Sequence, residues 1–346
     1  MIKIARNVFM TSILLLSLVA CNKDINTTND NPAEIEITED KPSKETNQQI
    51  AQEDMKTIDP SDEAKETNSN PAKEVTPLPN VDTPVEPIIL TSPPIEYYNS
   101  IQATKSTTIP LNLKLSQSTP NNIIDDEDWF LDNNLELKSY YIEDAFQRGE
   151  ADLPGEIETT QSDLFLTSAF FDDSYLYAVY GTDYNEGYLL NIYDVYTNSK
   201  LYSLDFTNYR YAPEFVTEDY GYVQQKVNWA VLQDNILYVS NSHNTYAKSS
   251  KYRNGYITAI DLISNSIIWR SKPLVSNTKN FQILDNVIIC GYGFTAEDDF
   301  LYELDKNTGL ILNEIPLKSA PTYIIKKDNL LYVRTYDTDY EFIIEE

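Results

Sequence analysis

Short runs of alternating hydrophobic and polar residues recur between residues 160 and 346. Four times, such a run ends in Asp followed by Asn or Ser, and a second β-rich run begins directly afterwards. Alternation with a period of two is typical of half-buried strands, and Asp-Asn between two such runs predicts a tight hairpin. The four turns are Asp173-Ser174, Asp234-Asn235, Asp285-Asn286 and Asp328-Asn329.

A second turn signature follows each of the first three hairpins. It begins with Asp, has Thr or Ser fourth and Asn or Gly fifth, and spans Asp194–Asn198, Asp261–Asn265 and Asp305–Gly309. Asn and Gly tolerate a left-handed backbone, and the Asp carboxylate can accept hydrogen bonds from the amides of its own turn. Each full repeat therefore predicts four antiparallel strands. The repeats cover about 160–208, 224–275, 278–318 and 320–346.

Four-stranded repeats of this length are typical of β-propeller blades. The pattern Ala259-x-Asp261, with Trp269 after it, resembles the tryptophan-type repeats of the quinoprotein-like, or PQQ-like, β-propellers. The resemblance covers residues 160–346, and it implies an all-β fold of antiparallel blades. Tyr202 and Asn313 replace Trp at two equivalent positions, and the enzymes of that family have more blades. We therefore expect a small or incomplete β-propeller.

The last repeat is too short for a fourth strand, so we expect an N-terminal strand to complete it. Hydrophobic and polar residues alternate from Ile109 to Leu115, and Pro110 restricts this run to a sheet edge or a first strand position. We expect residues 109–115 to pair beside Tyr340–Ile344. The alternative is that residues 135–141 close the blade.

The segment before the propeller predicts a disordered acidic tether at residues 21–105. Residues 22–124 contain neither Gly nor Trp and are rich in Pro, Thr, Asn and Glu. Such a composition buries too little apolar surface to offset the entropy lost on folding. The propeller domain is then expected to span residues 106–346.

The first 20 residues predict a lipoprotein signal peptide. Lys3 and Arg6 precede an apolar run that is too short to span a bilayer. The run ends in Leu18-Val19-Ala20-Cys21, which resembles the lipobox of bacterial lipoproteins. That resemblance implies cleavage before Cys21 and attachment of lipid to its thiol.

The residues after Cys21 suggest where the lipoprotein is sorted. The residue directly after Cys21 is Asn22, and the absence of Asp at this position resembles the pattern of outer-membrane lipoproteins. The pair Lys23-Asp24 is similar to surface-export tags of the Bacteroidetes. We therefore expect a cell-envelope protein that is anchored by lipid in the outer membrane and exposed at the surface.

Charge and composition exclude several classes of function. The net charge of −28 would repel nucleic acid and anionic lipid, so the lipid anchor is the expected membrane contact. One His and two Cys cannot supply a His/Cys zinc site, and nothing in the spacing places a nucleophile beside His243. Cys290 follows an apolar run and is expected to be a buried hydrophobe. We expect no enzyme activity and no cofactor, pyrroloquinoline quinone included.

The loops between second and third strands would open on one face of the propeller. They contain acids that could together offer oxygen ligands to Ca²⁺, but no loop has the spacing of a dedicated calcium loop, and a solvated acidic surface is the preferred explanation. These acids are Asp183, Glu186, Glu297, Asp298, Asp299, Asp337 and Asp339. The same loops contain tyrosines, which are frequent anchors of binding surfaces: Tyr184, Tyr246, Tyr252, Tyr292 and Tyr336.

Two hypotheses for function follow. The first is a non-enzymatic binding or scaffold module that engages an envelope protein or glycan through its loops. A variant of it resembles the lipoprotein propeller of the outer-membrane barrel-assembly machinery. The alternative is a surface enzyme that acts on polysaccharide, which requires two carboxylates about 5–10 Å apart.

The lipid anchor is directly testable. Replacing Cys21 with Ser removes the thiol that would accept the lipid, so Cys21→Ser should move the protein from the membrane fraction to the soluble fraction. Carbonate washing and fractionation measure this. A variant that stays with the membrane after the wash would contradict the lipobox interpretation.

Overall fold

The computed structural model describes residues 85–121, 125–140, 142, 153–155, 157–183, 186–210 and 222–345 of the chain. The signal peptide, Cys21 and most of the predicted tether lie outside these residues. Four antiparallel sheets account for the fold, and each is one blade of a small all-β propeller. No helix in the described ranges has the length and hydrophobicity needed to cross a membrane.

The first blade is the most elaborate sheet. Its four main strands are β6 (Leu164–Phe171), β7 (Tyr175–Gly181), β8 (Leu189–Asp194) and β9 (Lys200–Asp205). Three two-residue strands extend it: β4 (Ser139–Tyr140) and β5 (Thr160–Gln161) pair with β6, and β1 (Ile88–Ile89) runs parallel to β9. The 3₁₀ turn Thr207–Tyr209 follows β9.

The other three blades have four or five strands. Blade 2 consists of β10 (Lys226–Gln233), β11 (Ile236–Ser242), β12 (Tyr256–Asp261), β13 (Ser266–Arg270) and β2 (Tyr98–Asn99), with the 3₁₀ turn Ala247–Ser250 between β11 and β12. Blade 3 consists of β14 (Gln282–Leu284), β15 (Val287–Tyr292), β16 (Phe300–Asp305) and β17 (Ile311–Pro316). Blade 4 consists of β18 (Pro321–Lys327), β19 (Leu330–Thr335), β20 (Thr338–Glu345) and β3 (Asn112–Pro120).

The turn residues adopt the conformations that their chemistry predicts. Asn198, Asn265 and Gly309 all have a left-handed backbone, with φ of 56°, 52° and 70°. In the first of these turns the Asp194 carboxylate accepts hydrogen bonds from the backbone N–H and the hydroxyl of Thr197, at 2.8 and 3.0 Å. Such short-range hydrogen bonds set the direction in which the fourth strand leaves each turn.

Trp269 connects the second blade to the third. Its indole N–H donates to the backbone O of Lys306 at 2.9 Å, and its ring packs against Gly309, where a Cβ would collide with it. Apolar residues of blades 1, 2 and 3 form one continuous buried cluster around this contact. The blades therefore share a core rather than each having a separate one.

Residues 85–120 run along the outer strands of all four blades in order, and we call this segment the belt. It pairs with β9 of blade 1 and then with β13 of blade 2. On blade 3, Ser106 and Thr108 donate to the Asp305 carboxylate, and the Leu111 amide donates to Glu303 Oε2 at 2.6 Å. The belt ends as β3, the outer strand of blade 4.

The belt changes the predicted boundary of the tether. Residues 85–105 were expected to belong to the disordered segment, but Leu90 and Asn99 are buried and the Tyr97 hydroxyl donates to the backbone O of Thr308 at 2.9 Å. The prediction of a tether up to residue 105 is wrong over this part. Backbone pairing of β1 with β9 and of β2 with β13 orders this segment, although its composition alone is typical of disorder.

β3 completes the last blade beside β20, as the alternating pattern predicts. The two strands pair antiparallel from Asn112 opposite Glu345 to Pro120 opposite Thr338. The paired region begins three residues later than Ile109, which is exposed, and continues past Leu115. The alternative segment forms β4 instead, which pairs with β6 of blade 1.

Helix α1 (Asp126–Asp132) continues the chain from β3 and links blade 4 to blade 1. Asp125 caps its N-terminus, and three acids in its first turn suit the positive end of the helix. Trp129 is buried and stacks on Tyr323 of blade 4, while Asp126 accepts a hydrogen bond from Arg334 at 2.8 Å. After α1 the chain reaches blade 1 as β4.

Shortening the chain tests the belt. A chain of residues 106–346 lacks β1, β2 and the buried Leu90, so we expect its thermal midpoint to fall by at least about 4 °C relative to a chain of residues 85–346. Circular dichroism measures both midpoints. Equal midpoints would show that residues 85–105 contribute no packing.

Candidate functional site

Four loops lie at one end of the blades and form the surface that we call the loop face. They join the second and third main strands of each blade, at residues 182–188, 243–255, 293–299 and 336–337. Neighbouring strands are antiparallel, so the Asp-x-x-Thr/Ser turns lie at the opposite end. All the acids and tyrosines singled out from the sequence fall in these loops or at the adjoining strand ends.

The blade 1 loop uses its acid internally. Glu186 Oε1 accepts a hydrogen bond from Arg210 at 2.7 Å, and both side chains are mostly buried. Glu186 Oε2 accepts another from the Thr182 amide, and the Asp183 carbonyl accepts one from the Glu186 amide. Glu186 therefore stabilises the loop and is not directed to a ligand. Tyr184 lies outside the described residues.

His243 organises the long loop of blade 2. Its ring is buried, with Nδ1 accepting from the Thr245 amide and Nε2 within 2.7 Å of Ser250 Oγ. The Ser250 hydroxyl donates to the backbone O of Ala247 and is itself fully buried. Asn254 bonds both the N–H and the C=O of His243. The Ser–His contact is thus part of the loop scaffold and is closed to a substrate.

Glu297 joins the loops of blades 2 and 3. Its carboxylate accepts hydrogen bonds from the Ala247 amide and from the Tyr292 hydroxyl, both at 2.7 Å. Burial and this carboxylate raise the pKa of Tyr292. The expectation of Tyr292 as a surface aromatic is wrong, because β15 extends to this residue and turns its side chain into the core.

Asp299 of the blade 3 loop and Asp337 of the blade 4 loop are close enough for their charges to interact. Burial, followed by the charges of Asp298, Asp337 and Glu297, raises the pKa of Asp299 to about 6. Its Oδ1 packs against Gly293 and has no hydrogen-bond partner in the described part of the chain. Hydrogen bonds from Ser319 and from the Thr338 hydroxyl hold the pKa of Asp337 below its usual range.

The other two acids of these loops differ in their surroundings. Asp339 accepts hydrogen bonds from Arg334 at 3.2 and 3.3 Å and from Asn121 at 3.3 Å, so it belongs to the contacts that hold α1. Asp298 is exposed. Over the described ranges, no three His, Cys, Asp or Glu side chains are grouped in a way that could hold a metal ion.

Three tyrosines project from the loop face. Tyr246, Tyr252 and Tyr336 are 44%, 56% and 64% exposed. The Tyr246 ring meets Phe294 edge to face at 5.1 Å, which joins the blade 2 and blade 3 loops at the surface. Sequence reasoning missed Phe294, although an aromatic in a loop beside Tyr292-Gly293 was a signal of the same kind.

Cys290 is inaccessible. It lies on β15, fully buried, and burial raises the pKa of its thiol. A protonated thiol without solvent access is neither a nucleophile nor a metal ligand. The expectation of a buried small hydrophobe is confirmed.

No family model matches the sequence, and no curated protein matches it either. Among solved structures, the computationally designed Ika4 protein is 14% identical over 55% of this chain and 96% of its own, with a TM-score of 0.33. BamB from Moraxella catarrhalis is 10% identical over 50% of this chain, with a TM-score of 0.28. A chain of the mitotic checkpoint complex is 15% identical over 73% of this chain and 82% of its own, with a TM-score of 0.31. The matched region spans a little over half of BamB, 56% of its length.

The fold and the residues of the loop face together define the class of protein. The chain is a small β-propeller in which most of the acidic loop residues are hydrogen-bonded within the fold, while three tyrosines are exposed on the same face.

Asp299 predicts a particular pH dependence. Its pKa is raised from 3.8 to about 6 in the folded state, so the folded protein binds the proton more tightly. Stability therefore falls as the pH rises from about 4 to about 6, and the full penalty remains at higher pH. Asp299→Asn should raise the free energy of unfolding at pH 7.5 and leave it unchanged at pH 4.

Urea denaturation at the two pH values measures this difference. Asp163→Asn, at an exposed turn of blade 1, is the matched control and should have little effect at either pH. A destabilised Asp299→Asn variant at pH 7.5 would contradict the assignment of an unfavourable buried charge.

Proposed function

We propose that this protein is a lipid-anchored, non-enzymatic binding module of the cell envelope. A four-bladed propeller is carried on an acidic tether that begins at the lipidated Cys21, and its loop face engages an envelope protein or glycan. The outer membrane is the proposed location, with the propeller exposed at the surface. The membrane is contacted through the anchor alone.

One observation carries the proposal. On the loop face, Glu186, Glu297 and Asp339 are used within the fold, whereas Tyr246, Tyr252 and Tyr336 are left exposed. Tyrosine offers a large, rigid, amphipathic contact surface at a low cost in conformational entropy. A surface with these residues outermost suits recognition better than it suits chemistry.

The anchor and the tether support the same function. Lipid attachment at Cys21 would put the anchor far from the propeller along the chain, and the acidic, Pro-rich composition between them favours an extended tether. A propeller held in this way can reach a partner while its anchor remains in the membrane.

Substitution of the exposed tyrosines tests the proposal. The triple variant Tyr246→Ser, Tyr252→Ser, Tyr336→Ser should lose the partner that the wild-type lipoprotein captures by cross-linking on intact cells. Tyr196→Ser is the matched control, because Tyr196 is 81% exposed but lies in a turn at the opposite end of blade 1. If the triple variant captures the same partner, binding does not use the loop face.

The pair Asp299 and Asp337 supports the alternative of a polysaccharide-cleaving enzyme. Asp299 has a raised pKa, which suits a general acid, and the lowered pKa of Asp337 keeps that carboxylate ionised. This alternative also requires the two carboxyl groups to lie about 5–10 Å apart. Release of reducing ends from envelope polysaccharide by the wild type, lost in Asp299→Asn and in Asp337→Asn, would establish this function. An inactive wild type would leave the binding module as the function.

A further inference from the structure

Arg270 differs from the other deeply placed arginines of the propeller. Arg210 bonds Glu186, and Arg334 bonds both Asp126 and Asp339. Arg270 is 3% exposed, yet no described carboxylate contacts it and its Nε has no hydrogen-bond partner among the described residues. In a protein with a net charge of −28, a buried cation without an acid is a conspicuous exception.

The Arg270 guanidinium lies at the interface between blades 1 and 2. It is 3.8 Å from the ring centre of Tyr256 on its own blade and 5.5 Å from that of Tyr209, which follows β9 of blade 1. The preceding residue, Trp269, faces blade 3, so Arg270 faces blade 1 by the alternation of a strand. The aromatic faces offset part of the cost of burying the charge but supply no hydrogen bonds.

Other buried polar groups without partners lie around the guanidinium. Thr258 stands directly opposite Arg270 in the β12–β13 pairing, and Asn241 stands opposite Tyr256 in the β11–β12 pairing, which places all four on one face of blade 2. The hydroxyls of Tyr209 and Thr258 and the side-chain amide of Asn241 are buried, and the described residues offer them no hydrogen bond. Buried polar groups normally have hydrogen-bond partners, so a cluster of such groups without partners indicates a place where a ligand can bind.

We propose that Arg270, Tyr209, Thr258 and Asn241 form a binding site for a small organic carboxylate between blades 1 and 2. The site lies at the strand ends that adjoin the blade 2 loop. It uses none of the exposed tyrosines, so it stands whether or not the loop face binds a partner.

The donor set specifies the class of ligand. A guanidinium edge can hold a carboxylate through two parallel hydrogen bonds, and the two hydroxyls and the amide N–H₂ can donate to the same oxygens or to a neighbouring hydroxyl of the ligand. A flat carboxylate suits a guanidinium that already lies over two aromatic rings.

The belt provides the route into the site. Between β1 and β2 it crosses from blade 1 to blade 2 over this interface, where the Tyr256 hydroxyl donates to the backbone O of Ile95 at 3.1 Å. Asn208 donates to the backbone O of Leu90 at 2.7 Å. The proposed route to Arg270 therefore passes beside this short crossing of the belt.

Acetate is the probe for the first experiment, with the full chain at pH 7.5. The thermal midpoint is measured while sodium acetate replaces sodium chloride at constant ionic strength. We expect a saturable rise in the midpoint with acetate in the wild type and none in Arg270→Met. A wild-type midpoint that does not depend on the anion, or that rises equally in Arg270→Met, would overturn the proposal, as would a stronger saturable effect of sulfate.

Two hydroxyl deletions keep the test decisive if Arg270→Met does not fold. Tyr209→Phe and Thr258→Val remove hydroxyls that bond none of the described residues, so the midpoint in chloride should not fall, while the apparent affinity for acetate should drop about 5-fold or more. Tyr292→Phe is the matched control. It removes a hydroxyl that bonds Glu297, and it should lower the midpoint without changing acetate affinity. Unchanged acetate affinity in both deletions would refute the site.

Discussion

The fold depends on one backbone pairing, that of β3 with β20. The last repeat contains only three strands of its own, and β20 would otherwise present a row of unpaired amide and carbonyl groups at an edge. β3 satisfies them and brings Leu111 and Leu113 onto the cluster that includes Phe342. Because β3 is the end of a belt that has already crossed blades 1, 2 and 3, this pairing also determines how the belt is held.

The same arrangement separates structural from functional surfaces. The belt covers outer strands, and α1 covers the inner part of blade 4 through Trp129. The loop face is left uncovered, and most of its acids are hydrogen-bonded within the fold, whereas Tyr246, Tyr252 and Tyr336 are exposed. Arg270 lies at the interface of blades 1 and 2, beside the strand ends of the blade 2 loop, so the two proposed places for recognition differ chemically: exposed tyrosines in one and a buried cation in the other.

Local sequence chemistry was sufficient for much of this structure. The left-handed turns at Asn198, Asn265 and Gly309 follow from residue type alone, and the alternation before Leu115 identified the strand that completes blade 4. β1 and β2 could not be found in this way, because two residues are too few for a period and their Pro-rich surroundings are typical of disorder.

The candidate site was less accessible to prediction. Loop acids could be named, but their partners come from distant parts of the chain: Arg210 for Glu186, and Ala247 for Glu297. Tyr292 was expected in a loop, but β15 extends to this residue and its side chain is buried. Arg270 gave no sequence signal, since its lack of an acidic partner is a property of the packed interface.

Native-state hydrogen exchange of β3 and β20 tests the closure of the propeller most directly. If the pairing holds the blades in one cooperative unit, the amides of β3 and β20 exchange only through global unfolding, with the same free energy as those of β11 and β15. Exchange of β3 amides through a local opening of much lower free energy would contradict the account, because the last blade would then be stable without its N-terminal strand.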